Sequence, residues 1–233
     1  MAVSVTTLCL LALALQGAQA ATVQSYSGRV FDTKTGALVY LFHHEEHREG
    51  TQLFTREVYS YPTLAAAQAD GLSQRDATLE ESVTENGNIV LYTFEQRQRH
   101  QKAVVEVENG TIYYTWADAN GENKEQSPAP ENVVTTSTAQ GYVMARWSQV
   151  AEGKSLPAKL VVPWKFDAYG ATFVRHGDQV NLKPNNPFIS LVAGPIYFRV
   201  SGTNVVSYHG PVMAAHKVGE KWHTVYADVI YDR

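Results

Sequence analysis

The chain has 233 residues, a formal net charge of −4 and one cysteine. Both signs of charge are spread along the sequence, so no basic stripe indicates binding to nucleic acid or to an anionic membrane surface. Because Cys9 lies in the N-terminal apolar run, the rest of the chain has no disulfide, thiolate metal site or cysteine nucleophile.

The N-terminus has the features of a secretory signal peptide. An apolar run, Leu8 to Leu15, is followed by Gly17 and the small-residue triplet Ala18-Gln19-Ala20. This is the order of a hydrophobic region and a cleavage site, although no Lys or Arg precedes the run. The run is shorter than the roughly 20 apolar residues that cross a bilayer, and no later segment comes closer, so no transmembrane segment is predicted. We predict a signal peptide at 1–20 and a periplasmic or secreted protein.

Most of the remaining chain, 21–233, has the alternation of strands. Its apolar residues recur with a period of two and are largely β-branched or aromatic, which suits a pleated, half-buried surface. The alternating sets are Leu38, Tyr40 and Phe42; Val90, Tyr92 and Phe94; Ile112, Tyr114 and Trp116; and Val225, Ala227, Val229 and Tyr231. Short turns separate the runs, including Asp32–Gly36 and Asn109-Gly110, a dipeptide that favours a type I′ hairpin. Strands joined by such turns are antiparallel, so a meander is predicted.

One segment has a helical period instead. Tyr142, Val143, Arg146, Trp147 and Val150 share one helix face, which predicts an amphipathic helix near residues 140–151. The candidate residues for its ends are Ser137 or Thr138 as N-cap and Gly153 after the last turn. A weaker helix candidate is Pro62–Asp70.

The polar stretch Gly121–Thr138, with two prolines, resembles a linker. It either separates two domains or forms a long surface loop between two halves of one sheet, 21–125 and 138–233. We favour the second interpretation because neither half has a complete core. The sequence thus predicts a mainly β, single β-rich domain over 21–233, an antiparallel meander forming a curved sheet or open barrel around the helix. A two-sheet sandwich is the alternative.

The densest set of metal-ligand side chains is His43-His44-Glu45-Glu46-His47. Imidazole and carboxylate groups suit zinc or iron, but the zincin signature fails by one residue in either register. On a strand, His43, Glu45 and His47 share one face, and the two histidines are about 13 Å apart, too far to bind one ion with Glu45. We therefore assign no metal site and read the segment as a polar strand end.

No motif predicts catalysis or cofactor binding. The sequence has no G-x-S-x-G, no P-loop and no G-x-G-x-x-G, so we assign no catalytic residue and no cofactor. Aromatic residues, 11% of the chain, are concentrated in the strands. On a curved sheet they line a cavity for an apolar ligand or, more commonly, fill the core. The candidate ligand-binding residues are Tyr40, Phe42, Trp116, Trp164 and Phe188.

Scattered positions in both halves of the chain share a pattern. In the first half they are Gly28-Arg29-Val30-Phe31-Asp32, Thr35-Gly36, Tyr40 and the His/Glu run. In the second half they are Trp147, Gly153, Val161-Val162-Pro163, Phe173, Leu182-Lys183-Pro184-Asn185, Phe188-Ile189, Gly194-Pro195-Ile196-Tyr197-Phe198 and Tyr208-His209-Gly210. In these positions the chain resembles an uncharacterised family of secreted or periplasmic proteobacterial proteins, a domain of unknown function. The resemblance implies a location in the cell envelope and a β-rich fold, and it implies no activity.

Three functional hypotheses follow from these observations. The first is a periplasmic binding or carrier protein whose concave sheet holds an apolar or lipid-like small molecule. The second is an envelope structural or assembly module that acts through contacts with an unidentified protein partner. The third is a metal-dependent hydrolase that uses His43–His47. We rank them in this order, and the sequence favours a protein that is not an enzyme.

Overall fold

A computed structural model describes residues 23–186 and 194–232. The predicted signal peptide, 1–20, lies outside the described residues. The first strands and helix are β1 Gln24–Asp32, β2 Leu38–Glu49, β3 Gln52–Ser60, α1 Leu64–Ala69, β4 Asp76–Glu85, β5 Asn88–Gln96, β6 Gln101–Glu108, β7 Thr111–Asp118 and β8 Gly121–Pro128. They are followed by β9 Val133–Val134, α2 Thr136–Met144, α3 Trp147–Ala151, β10 Leu156–Val162, β11 Asp167–His176, β12 Gln179–Pro184, β13 Ile196–Ser201, β14 Asn204–Val218 and β15 Lys221–Asp232.

The described strands form one sheet that does not close, in the order β8-β7-β6-β5-β4-β3-β2-β1-β15-β14-β13-β12-β11-β10-β9. The chain enters at the middle, in β1, and runs outward by hairpins to β8. It then crosses to the opposite edge, where β9 pairs parallel with β10, and returns by hairpins until β15 pairs with β1. The predicted antiparallel meander is confirmed, and the halves 21–125 and 138–233 both contribute to this sheet.

We call β1–β8 the first wing of the sheet and β9–β15 the second wing. The wings curve toward each other, since β9 contacts β5, and the 3₁₀ turn Pro163–Lys165 contacts β6 and β7. Helix α2 lies on the concave side, in contact with β4 and β14. Three apolar clusters fill this side, one around α2 and the second wing, one around β1, β2 and β15, and one between β5–β7 and β10.

The predicted helix near 140–151 is present, but it starts earlier and is divided in two. Thr135, rather than Ser137 or Thr138, is the N-cap of α2, and its side chain forms a capping box with Thr138. The chain leaves helical geometry at Arg146, whose guanidinium lies 4.0 Å over the Tyr142 ring and donates to the Asn86 carbonyl. Gly153 follows α3 with a positive φ, as predicted. The weaker candidate, Pro62–Asp70, contains α1.

The prediction of a loop over Gly121–Thr138 is wrong. Residues Gly121–Pro128 form β8, the outer edge strand of the first wing, with an almost entirely exposed set of polar side chains. An edge strand has no partner on one side, and charged residues there oppose pairing with another chain. The polarity that resembles a linker is in fact that of a solvent-facing strand.

Candidate functional site

A row of ionisable side chains crosses the inner face of the first wing. The strand register places Tyr26 of β1 opposite His44 of β2, His44 opposite Glu57 of β3, and Glu57 opposite Glu80 of β4. Directly opposite residues on neighbouring antiparallel strands point to the same face of a sheet. This row therefore faces the concave side, where α2 lies.

His44 is paired at both ring nitrogens. Its side chain is only 7% exposed, and its Nδ1 and Nε2 lie 3.1 Å from Glu57 Oε1 and 3.3 Å from Glu46 Oε2. Burial disfavours the imidazolium, but the hydrogen bonds to the two carboxylates outweigh burial and raise the pKa of His44 to about 9. The ring is therefore positively charged at neutral pH, donates through both nitrogens, and stacks on Tyr26 at 4.4 Å.

Glu80 is the most deeply buried member of the row, with 2% of its surface exposed. Tyr92 donates its hydroxyl to Glu80 Oε2 at 2.9 Å, and the nearby Ser137 hydroxyl of α2 favours the ionised form of the same carboxyl group. Burial and the neighbouring charge of Glu57 raise the pKa of Glu80 to about 8. Glu80 therefore holds a proton at neutral pH.

We refer to His44, Glu46, Glu57, Glu80, Tyr92 and Ser137 as the polar cluster. Four of its members, His44, Glu46, Glu57 and Ser137, line a cleft of about 550 Å³ between the inner face of β1–β4 and α2. The cleft is lined by Gln24, Ser25, Tyr26, His44, Glu46, Arg48, Leu53, Thr55, Glu57, Thr84, Ser137, Thr138, Gln140, Gly141, Met144, Ala145, Thr203 and Asn204. Most of these side chains are hydrogen-bonding, and the cleft volume is in the range of small-molecule sites, roughly 300–1,000 Å³.

Glu57 also reaches a second, smaller cavity. This cavity has a volume of about 40 Å³ and lies between the sheet and α2, beside Tyr59, Tyr208 and Tyr231. Burial raises the pKa of Tyr59 and Tyr208, so both phenols remain neutral. Glu57 therefore lines both the larger cleft and this smaller cavity, which is rich in phenol side chains.

The helix side of the cleft has a gap at Gly141. This glycine lies inside α2, and a Cβ built there meets no heavy atom within 4 Å. A glycine in a helix interior costs about 1 kcal/mol of stability relative to alanine. The absent side chain leaves the helix backbone accessible from the cleft.

The structure does not bring the predicted ligand-binding residues together. Tyr40 and Phe42 belong to the cluster around β1, β2 and β15, where they pack on Tyr61 and Tyr59. Trp116 is buried in the cluster between β5–β7 and β10, and Trp164 is 44% exposed beside it. None of these four lines the cleft, and Phe188 lies outside the described residues.

The His/Glu run divides between the two faces of β2. His43, Glu45 and His47 share the outer face, as predicted, and His43 and His47 each pair with the carboxylate two residues further on. The inner positions, His44 and Glu46, belong to the polar cluster. Within 23–186 and 194–232, no group of three or more His, Cys, Asp or Glu side chains has the arrangement of a metal site.

Sequence reasoning missed the partners of His44. Glu is common at exposed strand positions, so the strand pattern does not predict that Glu57 and Glu80 are buried. The sequence signal for Glu80 is that every second residue from Thr78 to Thr84 is polar. In the structure all four of these residues of β4, Thr78, Glu80, Ser82 and Thr84, are buried. Hydrophobic alternation alone places Leu79 and Val83 inside instead.

No helix in the described part of the chain has the length and apolar character needed to cross a membrane. A comparison with models of protein families, with curated proteins and with solved structures gives no match. The resemblance to a secreted proteobacterial family therefore stays a prediction. The functional assignment rests on the cleft and the polar cluster.

Proposed function

We propose that this chain is an exported binding protein that holds a small polar molecule in the cleft between α2 and β1–β4. The observation that carries the proposal is the pair of buried ionisable side chains, His44 and Glu57, that lines a cleft of ligand size. Buried charges cost desolvation energy, and an apolar filling of the same space is often as stable or more stable. A binding role explains why these groups are placed there.

The proposal keeps the predicted class of binding protein and changes the chemistry of its ligand. An apolar or lipid-like ligand requires a predominantly apolar lining. The aromatic residues predicted to supply one pack in separate core clusters, whereas the cleft presents carboxylates, hydroxyls and amides. Location in the periplasm or outside the cell is part of the proposal and rests on the signal-like segment 1–20.

Native mass spectrometry of protein purified from the periplasm without detergent tests this function. We expect a wild-type species heavier than residues 21–233 alone, with a polar molecule recovered on denaturation. Gly141→Trp should lose that molecule because its side chain enters the cleft, while Gly141→Ala, the matched control, should retain it. A bare mass for freshly purified wild-type protein, or an equal load on Gly141→Trp, would contradict the proposal and favour a role through protein contacts.

A further inference from the structure

The outer face of the first wing holds a serine, a histidine and a glutamate in one row. Ser27 of β1 is directly opposite His43 of β2, and Glu45 follows two residues along β2, so the three side chains point to the same side of the sheet. Ser27 Oγ lies 3.3 Å from His43 Nδ1, and His43 Nε2 lies 3.1 Å from Glu45 Oε1. This row lies on the face of the sheet opposite to the polar cluster and shares no residue with it.

The two hydrogen bonds assign a role to each ring nitrogen of His43. The hydrogen bond from His43 lowers the pKa of Glu45, and the positive charge of Arg56 adds to this effect, so the carboxylate is ionised and only accepts. Nε2 of His43 therefore donates, and in the neutral imidazole Nδ1 is the acceptor for the Ser27 hydroxyl. Arg56 Nη1 also lies 3.6 Å from Glu45 Oε2, which helps to hold the carboxylate in place.

Ser27 and His43 line a cavity of about 470 Å³ on this face. Its volume is in the range of small-molecule sites, roughly 300–1,000 Å³. The guanidinium groups of Arg29 and Arg75 line the same cavity, and Leu41 supplies an apolar surface. Arginine side chains stabilise negative charge that develops on a substrate oxygen. A small molecule in this cavity therefore meets a nucleophile, a base and donors for an oxyanion.

The charges of the cavity lining balance. Arg29 pairs with Asp232 at 3.0 Å, and Arg75 lines the cavity together with its neighbour in the chain, Asp76. Neither sign of charge dominates, so the lining favours an uncharged molecule over an anion or a cation.

We propose that Ser27, His43 and Glu45 form a hydrolytic centre for small uncharged esters. A nucleophile within hydrogen-bond reach of a base, which a third group orients, is the geometry that defines such centres on unrelated folds. Ser27 and His43 are the catalytic residues because both reach the reacting atoms, and Glu45 is a positioning residue. This activity goes beyond the proposed binding function and does not depend on it.

The reaction has two steps. In the first, Ser27 Oγ forms a bond to the ester carbonyl carbon while its proton passes to His43 Nδ1; the bond from this carbon to the alcohol oxygen then breaks, and the alcohol leaves with that proton. In the second, a water molecule adds to the acyl carbon and gives a proton to His43. The acyl bond to Ser27 Oγ then breaks as this oxygen takes the proton back. The products are an acid and an alcohol.

The position of the row on an open face limits the expected rate. The side chains of His43 and Glu45 are 43% and 41% exposed. Water screens the charges that develop during the reaction, so we expect an acceleration near the lower end of the range for a general base, about a hundredfold.

Labelling with diisopropyl fluorophosphate tests the nucleophile. Ser27 Oγ bonds to the phosphorus and fluoride leaves, which gives a stable phosphate ester. Peptide mass spectrometry should find the label on Ser27, and His43→Ala should label at least tenfold more slowly than wild type. Ser207→Ala removes a serine from the outer face of β14, opposite Ile230, and as the matched control should label like wild type. No label on Ser27, or an equal rate in His43→Ala, overturns the proposal.

Hydrolysis of p-nitrophenyl butyrate measures turnover. Ser27→Ala and His43→Ala should each lower kcat at least tenfold, and Glu45→Gln should lower kcat with KM unchanged, because it alters only the orientation of His43. His47→Ala is the matched control, since His47 shares this face but lies opposite Phe54 instead of a serine. The substituted side chains are at least partly exposed, so the variants should fold. Equal hydrolysis in all variants overturns the hydrolytic centre and leaves the binding function of the cleft standing.

Discussion

Two neighbouring parts of the first wing use the same inner face in opposite ways. On β5–β7 that face is apolar and well packed, with Ile112, Tyr114 and Trp116 against the turn at Pro163–Lys165 and β10. On β2–β4 it carries the polar cluster and borders a cleft. Both surfaces belong to one continuous sheet, so the difference lies in side-chain chemistry rather than backbone. The apolar part stabilises the fold, whereas burial of ionisable groups in the polar part costs desolvation free energy.

The apolar part should show the largest response to truncation. Ile112→Ala removes a fully buried side chain and should lower the free energy of unfolding by about 3 kcal/mol, because the cavity it leaves closes only partly. Tyr113→Ala, its exposed neighbour on the outer face, should cost less than about 1 kcal/mol. Urea unfolding followed by tryptophan fluorescence measures both. Equal losses in the two variants would show that this face is not the main core.

The polar part should make stability depend on pH. The folded chain holds a proton on Glu80 up to about pH 8 that the unfolded chain releases near 4.5, so the free energy of unfolding falls as pH rises between these values. The hydrogen bonds of charged His44 to Glu46 and Glu57 act in the same direction. The stability that they contribute is fully present below pH 6.5 and is lost as the pH rises through about 9. Glu80→Gln should remove the first effect and be about 2 kcal/mol more stable than wild type at pH 8.

Urea titrations at pH 5 and pH 8 measure this difference. Glu81→Gln, on the exposed face of the same strand, serves as the control and should follow wild type at both pH values. If the free energy of unfolding changed equally between pH 5 and pH 8 in wild type and Glu80→Gln, Glu80 would have to be ionised in the folded protein.

The turn after β4 should show a smaller effect. Gly87 has a φ of +79°, and a Cβ built there lies 2.8 Å from Nη1 of Arg146, the residue that separates α2 from α3. Gly87→Ala should lower the free energy of unfolding by about 1 kcal/mol through backbone strain. Gly36 also has a positive φ, but a Cβ built there meets no neighbouring atom. Gly36→Ala therefore measures the backbone strain without a steric contact. The difference between the two variants, read from urea unfolding, is the contribution of the Arg146 contact.

The smallest expected effect has the opposite sign. Gly141→Ala should raise the free energy of unfolding by up to about 1 kcal/mol, because alanine favours the helix and its methyl group enters open space. Thermal unfolding of the two proteins measures the gain. A loss of stability would mean that the cleft side of α2 is tightly packed, which the account of the site does not allow.

The sequence predicts the class of fold better than the faces of its strands. Alternation correctly identifies the meander, and Asn109 and Gly110 adopt the two positive φ values predicted for their hairpin. It misplaces Leu38 and Val90: the register shifts between Leu38 and Tyr40, and Val90 is itself the residue that a second shift leaves unpaired. A β-bulge inserts one residue into a strand and exchanges inner for outer positions beyond it. No local signal marks either bulge.

The candidate site is predicted less well for a related reason. The outer histidines, His43 and His47, form a visible pattern within one strand, whereas His44 gains its partners only through pairing with β3 and β4. Cross-strand pairs depend on a register that one sequence does not encode locally. The cleft depends in addition on where α2 lies, which is set by contacts with both wings.

The most direct test of the central claim replaces the polar part of the inner face with apolar side chains. A variant combining His44→Leu, Glu57→Met and Glu80→Leu removes the charged row together, so that no unpaired buried charge is left from it. We predict that its free energy of unfolding at pH 8 equals or exceeds that of wild type while native mass spectrometry finds the bound molecule lost. A loss of several kcal/mol with the molecule still bound would show instead that the row serves the fold and not a ligand.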